Sequence, residues 1–193
     1  MARPREFDHA YVLDKAVEVF WSKGYEATSV QDLVDATGLH RGSLYGAFGS
    51  KQQLFIHVLD RYADVVVKKL LNILQANASA KTAIRQFFAA VVEHVINGGS
   101  LRGCLVTNSA VERALCDSDT AAKVGISLDR IEAGFYQALL QAQAAGELSA
   151  GKNLRAVARY LTSSLQGLLV IGKVKSERQA LEDVVAVTLL VLD

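Results

Sequence analysis

The side chains with the clearest chemical potential lie in one short segment, Arg41-Gly42-Ser43-Leu44-Tyr45. An arginine can donate two parallel hydrogen bonds to a guanine edge, and serine and tyrosine hydroxyls can bond to phosphate oxygens. The small residues beside the arginine leave the surface almost flat, so the backbone could lie close to base edges. This combination fits DNA contact, provided that a helix presents it to the duplex.

Two short helices joined by a tight turn would present the segment in that way. Thr28 begins a pattern typical of a capping box, which predicts the start of the first helix. Gly38 supplies the conformational freedom that the turn needs. A second helix is predicted over residues 39–48, where Leu44 and Phe48, four positions apart, would anchor it to a core. The pattern predicts a helix-turn-helix, whose second helix enters the major groove.

Flanking residues extend the predicted DNA-contacting surface. Hydroxyls, ammonium groups and helix N-termini suit phosphate oxygens, and two arginines ahead of the first helix could reach a phosphate or the minor groove. The predicted contacts are Thr28, Ser29, Arg41, Gly42, Ser43, Tyr45, Lys51, Arg3 and Arg5. Residues 1–62 hold seven Lys and Arg against eight Asp and Glu. Acids such as Asp14 and Glu18 must therefore face away from the duplex, and affinity should depend only weakly on salt.

The composition predicts helices throughout the chain. One proline among 193 residues leaves almost nothing to interrupt them, and apolar residues recur at helical intervals. We expect an all-α protein of about nine helices, with a helix-turn-helix head over 1–62 and a helical-bundle body over 63–193. The sequence shows no secretory signal, no long apolar span and only two cysteines, so we expect a cytoplasmic protein without a membrane partner.

Groups that could serve catalysis or metal binding are scattered along the chain. Its four histidines and two cysteines show no metal-ligand spacing, and no nucleophile–base arrangement is recognisable. Residues 98–103 have glycines spaced like a phosphate-binding loop, but Cys104-Leu105 follows where such a loop needs Lys and Ser or Thr. We therefore expect neither an enzyme nor a cofactor.

The head resembles a known family. The motifs that carry the resemblance are Gly24-Tyr25-Glu26-Ala27-Thr28-Ser29-Val30, Asp32-Leu33, Ala36-Thr37-Gly38-Leu39, Gly42-Ser43-Leu44-Tyr45, Phe48 and Ser50-Lys51-Gln52-Gln53-Leu54-Phe55. Over residues 9–62 they strongly resemble the N-terminal region of the TetR family of bacterial transcriptional regulators. The resemblance implies a homodimer that binds double-stranded DNA through its head and a small-molecule effector through its body. Gly46-Ala47 departs from the larger polar or aromatic residues that the family usually has there.

We therefore expect a transcriptional repressor that an effector releases from a palindromic operator. A helical adaptor whose helix-turn-helix binds protein is an alternative. Another is a thiol- or electrophile-sensing repressor, because Arg102-Gly103-Cys104-Leu105 with Asn108 resembles a segment of one subgroup, some members of which sense reactive compounds. A helix start at Cys104 would favour the thiolate, although a small buried residue packing at a helix start is the more common reason for such a cysteine.

The resemblance also implies a cavity among the helices of the body. Apolar and aromatic residues at helical intervals could line it, with Asn108 or His94 as polar partners, although such stripes are usually plain core. The predicted ligand-binding residues are Phe87, Phe88, Val91, His94, Cys104, Asn108, Phe135, Tyr136 and Leu139.

The last two predicted helices each carry a broad apolar face, which predicts self-association or burial within the monomer. The predicted dimer-interface residues are Leu154, Val157, Leu161, Leu165, Leu168, Leu181, Val184, Val185 and Thr188. A two-fold dimer would hold its recognition helices about 35 Å apart, one turn of DNA, and would require a palindromic operator.

Overall fold

The computed structural model describes residues 7–76, 79–99 and 102–193. All regular secondary structure in these residues is helical, which confirms the all-α prediction. The predicted N-terminal arm, Arg3 and Arg5, lies outside the described residues. The head comprises α1 (His9–Lys23), α2 (Val30–Thr37), α3 (Arg41–Phe48) and α4 (Lys51–Tyr62).

Local capping explains why the head folds in short helices. Ser29 begins α2: its hydroxyl accepts from the Asp32 N–H, and the Asp32 carboxylate accepts from the Ser29 N–H at 2.9 Å. This reciprocal capping box lies one residue later than the sequence predicts, because Thr28 is buried beneath it. Gly38 ends α2 in the left-handed conformation, with φ of 71°. Ser50 then caps α4.

These helices enclose one apolar core, in which Leu44 and Phe48 fix α3 as their spacing predicts. Their buried neighbours are Val12, Ala16, Phe20, Leu33, Leu54, Phe55 and Val58. Because α3 uses only these two buried residues, the rest of its surface remains available. The rigid core therefore holds the outward face of α3 in a fixed orientation.

The helix α4 continues from the head into the body. A π-helical turn at Ala63–Val67 is followed by α5 (Lys68–Leu71) and a 3₁₀ turn at Asn72–Gln75. The sequence predicts one long helix towards Gln75, and the structure divides it at Ala63, next to the predicted boundary between head and body. A π turn within a helix often marks a functional position.

The body is a bundle in which α8 packs against α6 and α9, and α10 packs against α6 and α9. Its elements are α6 (Ala80–His94) with a π turn at Val95–Gly99, α7 (Leu105–Glu112), α8 (Ser118–Ala144), α9 (Leu154–Ile171), and α10 (Arg178–Leu189) with a 3₁₀ turn at Leu190–Leu192.

The predicted ligand-binding aromatics form the centre of this bundle, which corrects their assignment to a cavity. Phe87, Phe88 and Phe135 are at most 1% exposed, and the ring centres of Phe87 and Phe135 are 4.9 Å apart. Val91 and Leu139 are buried beside them. Helical spacing alone cannot distinguish a filled core from a cavity wall, and here the neighbouring rings fill the space.

The predicted dimer-interface residues need a similar correction. Most of them are buried within the chain. The apolar face of α9 packs on α8 and buries Leu154, Val157, Leu161, Leu165 and Leu168, while α10 packs on α6 and α9 and buries Leu181 and Thr188. Val184 is exposed and Val185 is half-buried. A partly different set of residues is exposed on α9, on α10 and directly after each of these helices, and we call it the outer stripe: Tyr160, Gly167, Ile171, Val174, Val184, Val187 and Leu190.

Candidate DNA-reading surface and head–body junction

The outward face of α3 is open and nearly flat. Arg41, Gly42 and Ser43 are exposed in its first turn. A Cβ atom added at Gly42 or at Gly46 would meet no atom within 4 Å. The face could therefore approach another surface until backbone atoms come close to it.

Arg41 is the long donor of this face. Its guanidinium lies 5.8 Å from the centre of the Tyr45 ring, and Tyr45 is half-buried at the edge of the face. Arg41 forms no ion pair with any described residue, whereas most other arginines of the described chain do. Its five N–H groups are thus available for an external acceptor.

The remaining predicted phosphate contacts differ in how exposed their side chains are. Thr28 is 1% exposed and its hydroxyl donates to the Gly24 carbonyl at 2.5 Å, so its side chain cannot reach a phosphate in this conformation. Ser29 is exposed at the start of α2. Lys51 stands at the start of α4, with its Nζ 4.3 Å from the centre of the Tyr25 ring. Ser29 therefore retains the exposure that a phosphate contact requires, whereas Lys51 is half-buried beside Tyr25.

The acids of α1 are engaged by cations of α4 and the body. Arg61 donates two hydrogen bonds to Asp14, at 2.7 and 2.8 Å, and these bonds hold the pKa of Asp14 below its ordinary value. Arg102 pairs with Glu18. Each of these two acids therefore has a cation of the same chain as its partner.

Glu112, the last residue of α7, joins the body to the turn between α1 and α2. Its two carboxylate oxygens accept the backbone N–H groups of Tyr25 at 3.0 Å and Glu26 at 2.9 Å. Gly24 lies so close that an added Cβ atom would come within 3.0 Å of both oxygens. One carboxylate thus fixes the backbone of the turn directly ahead of the helix-turn-helix.

Arg113 strengthens the same junction. It donates to Glu26 at 2.7 Å and to Asp117 at 2.9 Å, and its guanidinium lies 4.0 Å from the centre of the Tyr25 ring. Burial would raise the pKa of Asp117, but hydrogen bonds from Arg113 and Thr120 hold that pKa below its ordinary value. Asp117 therefore stays ionised at neutral pH and keeps Arg113 in place.

Trp21 forms the third connection between head and body. Its indole Nε1 donates to the Gly103 carbonyl at 2.9 Å, and the Arg102 guanidinium lies 4.2 Å from the ring centre. His94, a predicted ligand-binding residue, is exposed and stacks on Trp21 with 6.4 Å between ring centres. Partial desolvation of the imidazole against the neighbouring side chains, together with the nearby Arg102 charge, lowers the pKa of His94, so a neutral imidazole is favoured there.

The two cysteines occupy very different environments. Cys104 is buried at the N-cap of α7, beside the buried Tyr62. Burial raises the pKa of Tyr62 well above its ordinary value, so this hydroxyl remains protonated. Cys116 is exposed in the turn between α7 and α8.

The junction is the part of the site that the sequence does not reveal. Trp21 and Gly103 are 82 positions apart, and Tyr25 and Glu112 are 87 positions apart. No local motif marks such pairs, since their contact depends on how α7 packs against the head. Asn108 is the exception among the predicted ligand-binding residues, because it lines a cleft beside this junction.

Comparisons with known proteins agree with this architecture. The family model described as "Bacterial regulatory proteins, tetR family" matches residues 12–58, and "Tetracyclin repressor-like, C-terminal domain" matches residues 80–188. The regulator YezE of Bacillus subtilis (strain 168) is 38% identical, with 100% of both chains covered. The repressor ComR of Escherichia coli (strain K12) is 32% identical over 97% of this chain and 90% of its own.

A solved structure of the TetR family transcriptional regulator CifR, a cysteine mutant complexed with 26-base-pair operator DNA, has a TM-score of 0.85. It is 29% identical, and the match covers 97% of this chain and 98% of that one. A helix-turn-helix head on a helical body defines a DNA-binding transcriptional regulator. The chain belongs to the TetR family of bacterial regulatory proteins. None of its described helices has the length and apolarity needed to cross a membrane.

Proposed function

We propose that this regulator is a repressor, and that a small-molecule effector releases it from a palindromic operator. The observation that carries the proposal is the open face of α3, where Arg41 is exposed without an ion pair among the described residues. An uncommitted arginine beside a flat helical surface suits recognition of guanine in the major groove. The repressor ComR and the operator-bound CifR, both similar to this chain, support the same function.

The palindromic operator follows from a two-fold dimer built on the outer stripe. Regulators of this family form dimers and bind small-molecule effectors. Val174, Val187 and Leu190 are 86%, 64% and 63% exposed, so the outer stripe offers apolar surface that a second copy could cover. Gly167 lies in the same stripe and would let the two backbones approach closely. Two-fold symmetry would then bring two copies of α3 to related half-sites.

Release requires that the effector favour a different orientation of the head. Near the C-terminal end of α1, the head contacts the body through Trp21, the Glu112 carboxylate and Arg113. A ligand that binds more tightly to one arrangement of these contacts shifts the population towards it. The two α3 helices of the dimer then no longer match the spacing of the half-sites.

The test is an electrophoretic mobility shift with DNA from the intergenic region upstream of the gene. Arg41→Ala should weaken specific binding by about 1–3 kcal/mol, which is the range for a lost base contact. Arg159→Ala, an equivalent change at an exposed arginine of α9, should leave affinity unchanged. Equal affinity of the Arg41→Ala variant and the unaltered protein would contradict the assignment of α3 and would favour a protein-binding adaptor.

A second candidate is a thiol- or electrophile-sensing repressor, which the position of Cys104 favours. This thiol lies at the start of α7, next to Gly103, whose carbonyl accepts the Trp21 hydrogen bond. An adduct on Cys104 would add volume to a buried site and disturb both the Tyr62 and the Trp21 contacts.

The cysteine variants separate the two candidates. Cys104→Ser should retain operator binding and should lose release by hydrogen peroxide or N-ethylmaleimide, whereas Cys116→Ser, at the exposed cysteine, should behave like the unaltered protein. If both variants are released equally, Cys104 is not a sensor.

A further inference from the structure

A cleft opens where the head meets the body, and the mechanism above does not use it. One wall is the C-terminal end of α1, from Trp21 to Gly24; the others are Arg102 with α7, and the C-terminal end of α9. The cleft has a volume of about 380 Å³, within the usual range for small-molecule sites. It lies outside the body core, where the aromatic side chains leave no such space.

The charges around the cleft favour an anion. Three cations line it, but Lys23 is paired with Asp32, and Arg102 is paired with Glu18. Lys173 forms no ion pair with any described residue; its Nζ donates to the Asn108 side-chain carbonyl at 3.0 Å. The carboxylate of the cleft, Glu112, already accepts two backbone N–H groups. One half-buried ammonium group thus remains without a compensating charge.

The ammonium group of Lys173 is held in position. The aliphatic part of this side chain passes over Gly103, where an added Cβ atom would come within 2.7 Å of Lys173 Cδ. Asn108 in turn donates from its Nδ2 to the Arg102 carbonyl at 2.7 Å, so its side-chain oxygen faces Lys173. A positioned donor loses less conformational entropy when a ligand binds.

The rest of the cleft is suited to an apolar group. Val111 is 81% exposed and Val170 is 46% exposed, and both line the cleft with the Trp21 ring. Large apolar side chains so exposed beside a charged group match a ligand with an anionic end and an apolar body.

We propose that this cleft binds a small organic acid, with its anionic group on Lys173 and its apolar part on Val111, Val170 and Trp21. The proposal deepens the function proposed above, since it names the effector class and its location. One wall belongs to the head and the other to the body, so a ligand that fits one width of the cleft fixes one orientation of the head.

The test uses intrinsic fluorescence, because Trp21 is the single tryptophan of the chain and lines the cleft. The purified protein is titrated, without DNA, with benzoate, phenylacetate and octanoate, and with benzamide as the uncharged counterpart of benzoate. At least one acid should give a saturable change in emission, and benzamide should give none. Absence of a saturable change with all three acids overturns the proposal, as does equal binding of benzamide.

Two lysine variants assign the anion contact. Lys173→Gln should weaken binding of the responding acid by at least about tenfold, the expected loss for a charge-assisted hydrogen bond. Lys175→Gln removes the same charge from an exposed residue outside the cleft and should leave binding unchanged. Equal weakening in both variants would indicate only a general charge effect and would overturn the assignment.

The readout keeps this inference separate from the proposed function. Fluorescence reports occupation of the cleft even if no operator is found, so failure of DNA binding does not affect it. Conversely, the protein could bind its operator and show no fluorescence change that depends on Lys173. That result would leave the proposed function standing and would contradict the effector site proposed here.

Discussion

The head and the body differ in where their predicted functional residues lie. In the head, Arg41, Gly42 and Ser43 lie on the outer surface, as the motif predicts. In the body, the predicted ligand-binding aromatics and most predicted interface leucines lie in the core. In the head, the apolar faces pack on other helices of the same short segment: α1 packs on α2 and α4, and α3 packs on α2 and α4. A body helix can pack against its own chain or a second copy, and a helical wheel does not distinguish them.

The largest expected effect concerns the aromatic centre of the body. Phe135 is 0% exposed between Phe87 and Phe88, so Phe135→Ala should lower the free energy of unfolding by about 3–5 kcal/mol. Tyr136→Ala, at the half-buried neighbouring residue, should lower the free energy of unfolding by clearly less. Chemical denaturation measures both changes. A loss below about 1 kcal/mol for Phe135→Ala would mean that this residue lines a cavity after all.

The next effect concerns the outer stripe. Val187→Asp should weaken dimerisation by at least about 2 kcal/mol, because two-fold symmetry places the new carboxylate in the interface twice. The helical content of the Val187→Asp variant should not change, since Val187 is exposed in the single chain. Ile126→Asp, at an exposed residue of α8, serves as the control. Sedimentation velocity measures the association, and an undiminished dimer would exclude Val187 from the interface.

The head and the body also differ in how much of their structure can be predicted from the sequence. The helix-turn-helix depends on contacts between close neighbours, such as Ser29 with Asp32, so its type and limits follow from local chemistry within a residue or two. The orientation of α9 depends on α8, and the junction depends on pairs such as Glu112 with Tyr25, 87 positions apart. Periodicity supplies no information on such pairs.

A smaller effect is expected from the junction. Glu112→Gln replaces an acceptor by a donor opposite one backbone N–H. The free energy of unfolding should fall by only about 1 kcal/mol, because Glu112 is exposed to water. The amides of Tyr25 and Glu26 should then exchange hydrogen faster than in the unaltered protein. Glu177→Gln, at an N-cap without a side-chain capping bond, should change neither property. Unaltered exchange at both amides would show that Glu112 does not hold the turn.

The smallest expected effect is the dependence of operator affinity on salt. Of the described cations of the head, Lys23 and Arg61 are committed to carboxylates, while Lys15, Arg41 and Lys51 remain free of ion pairs within the described chain. If each subunit contacts about one or two phosphates, the slope of log K against log salt should be only about −2 to −4 for the dimer, which is a shallow dependence. A slope near −10, as for a heavily basic repressor, would mean that many more cations reach the DNA than the described head provides. Such a result would mean that contacts with the DNA backbone, rather than the face of α3, contribute much of the affinity.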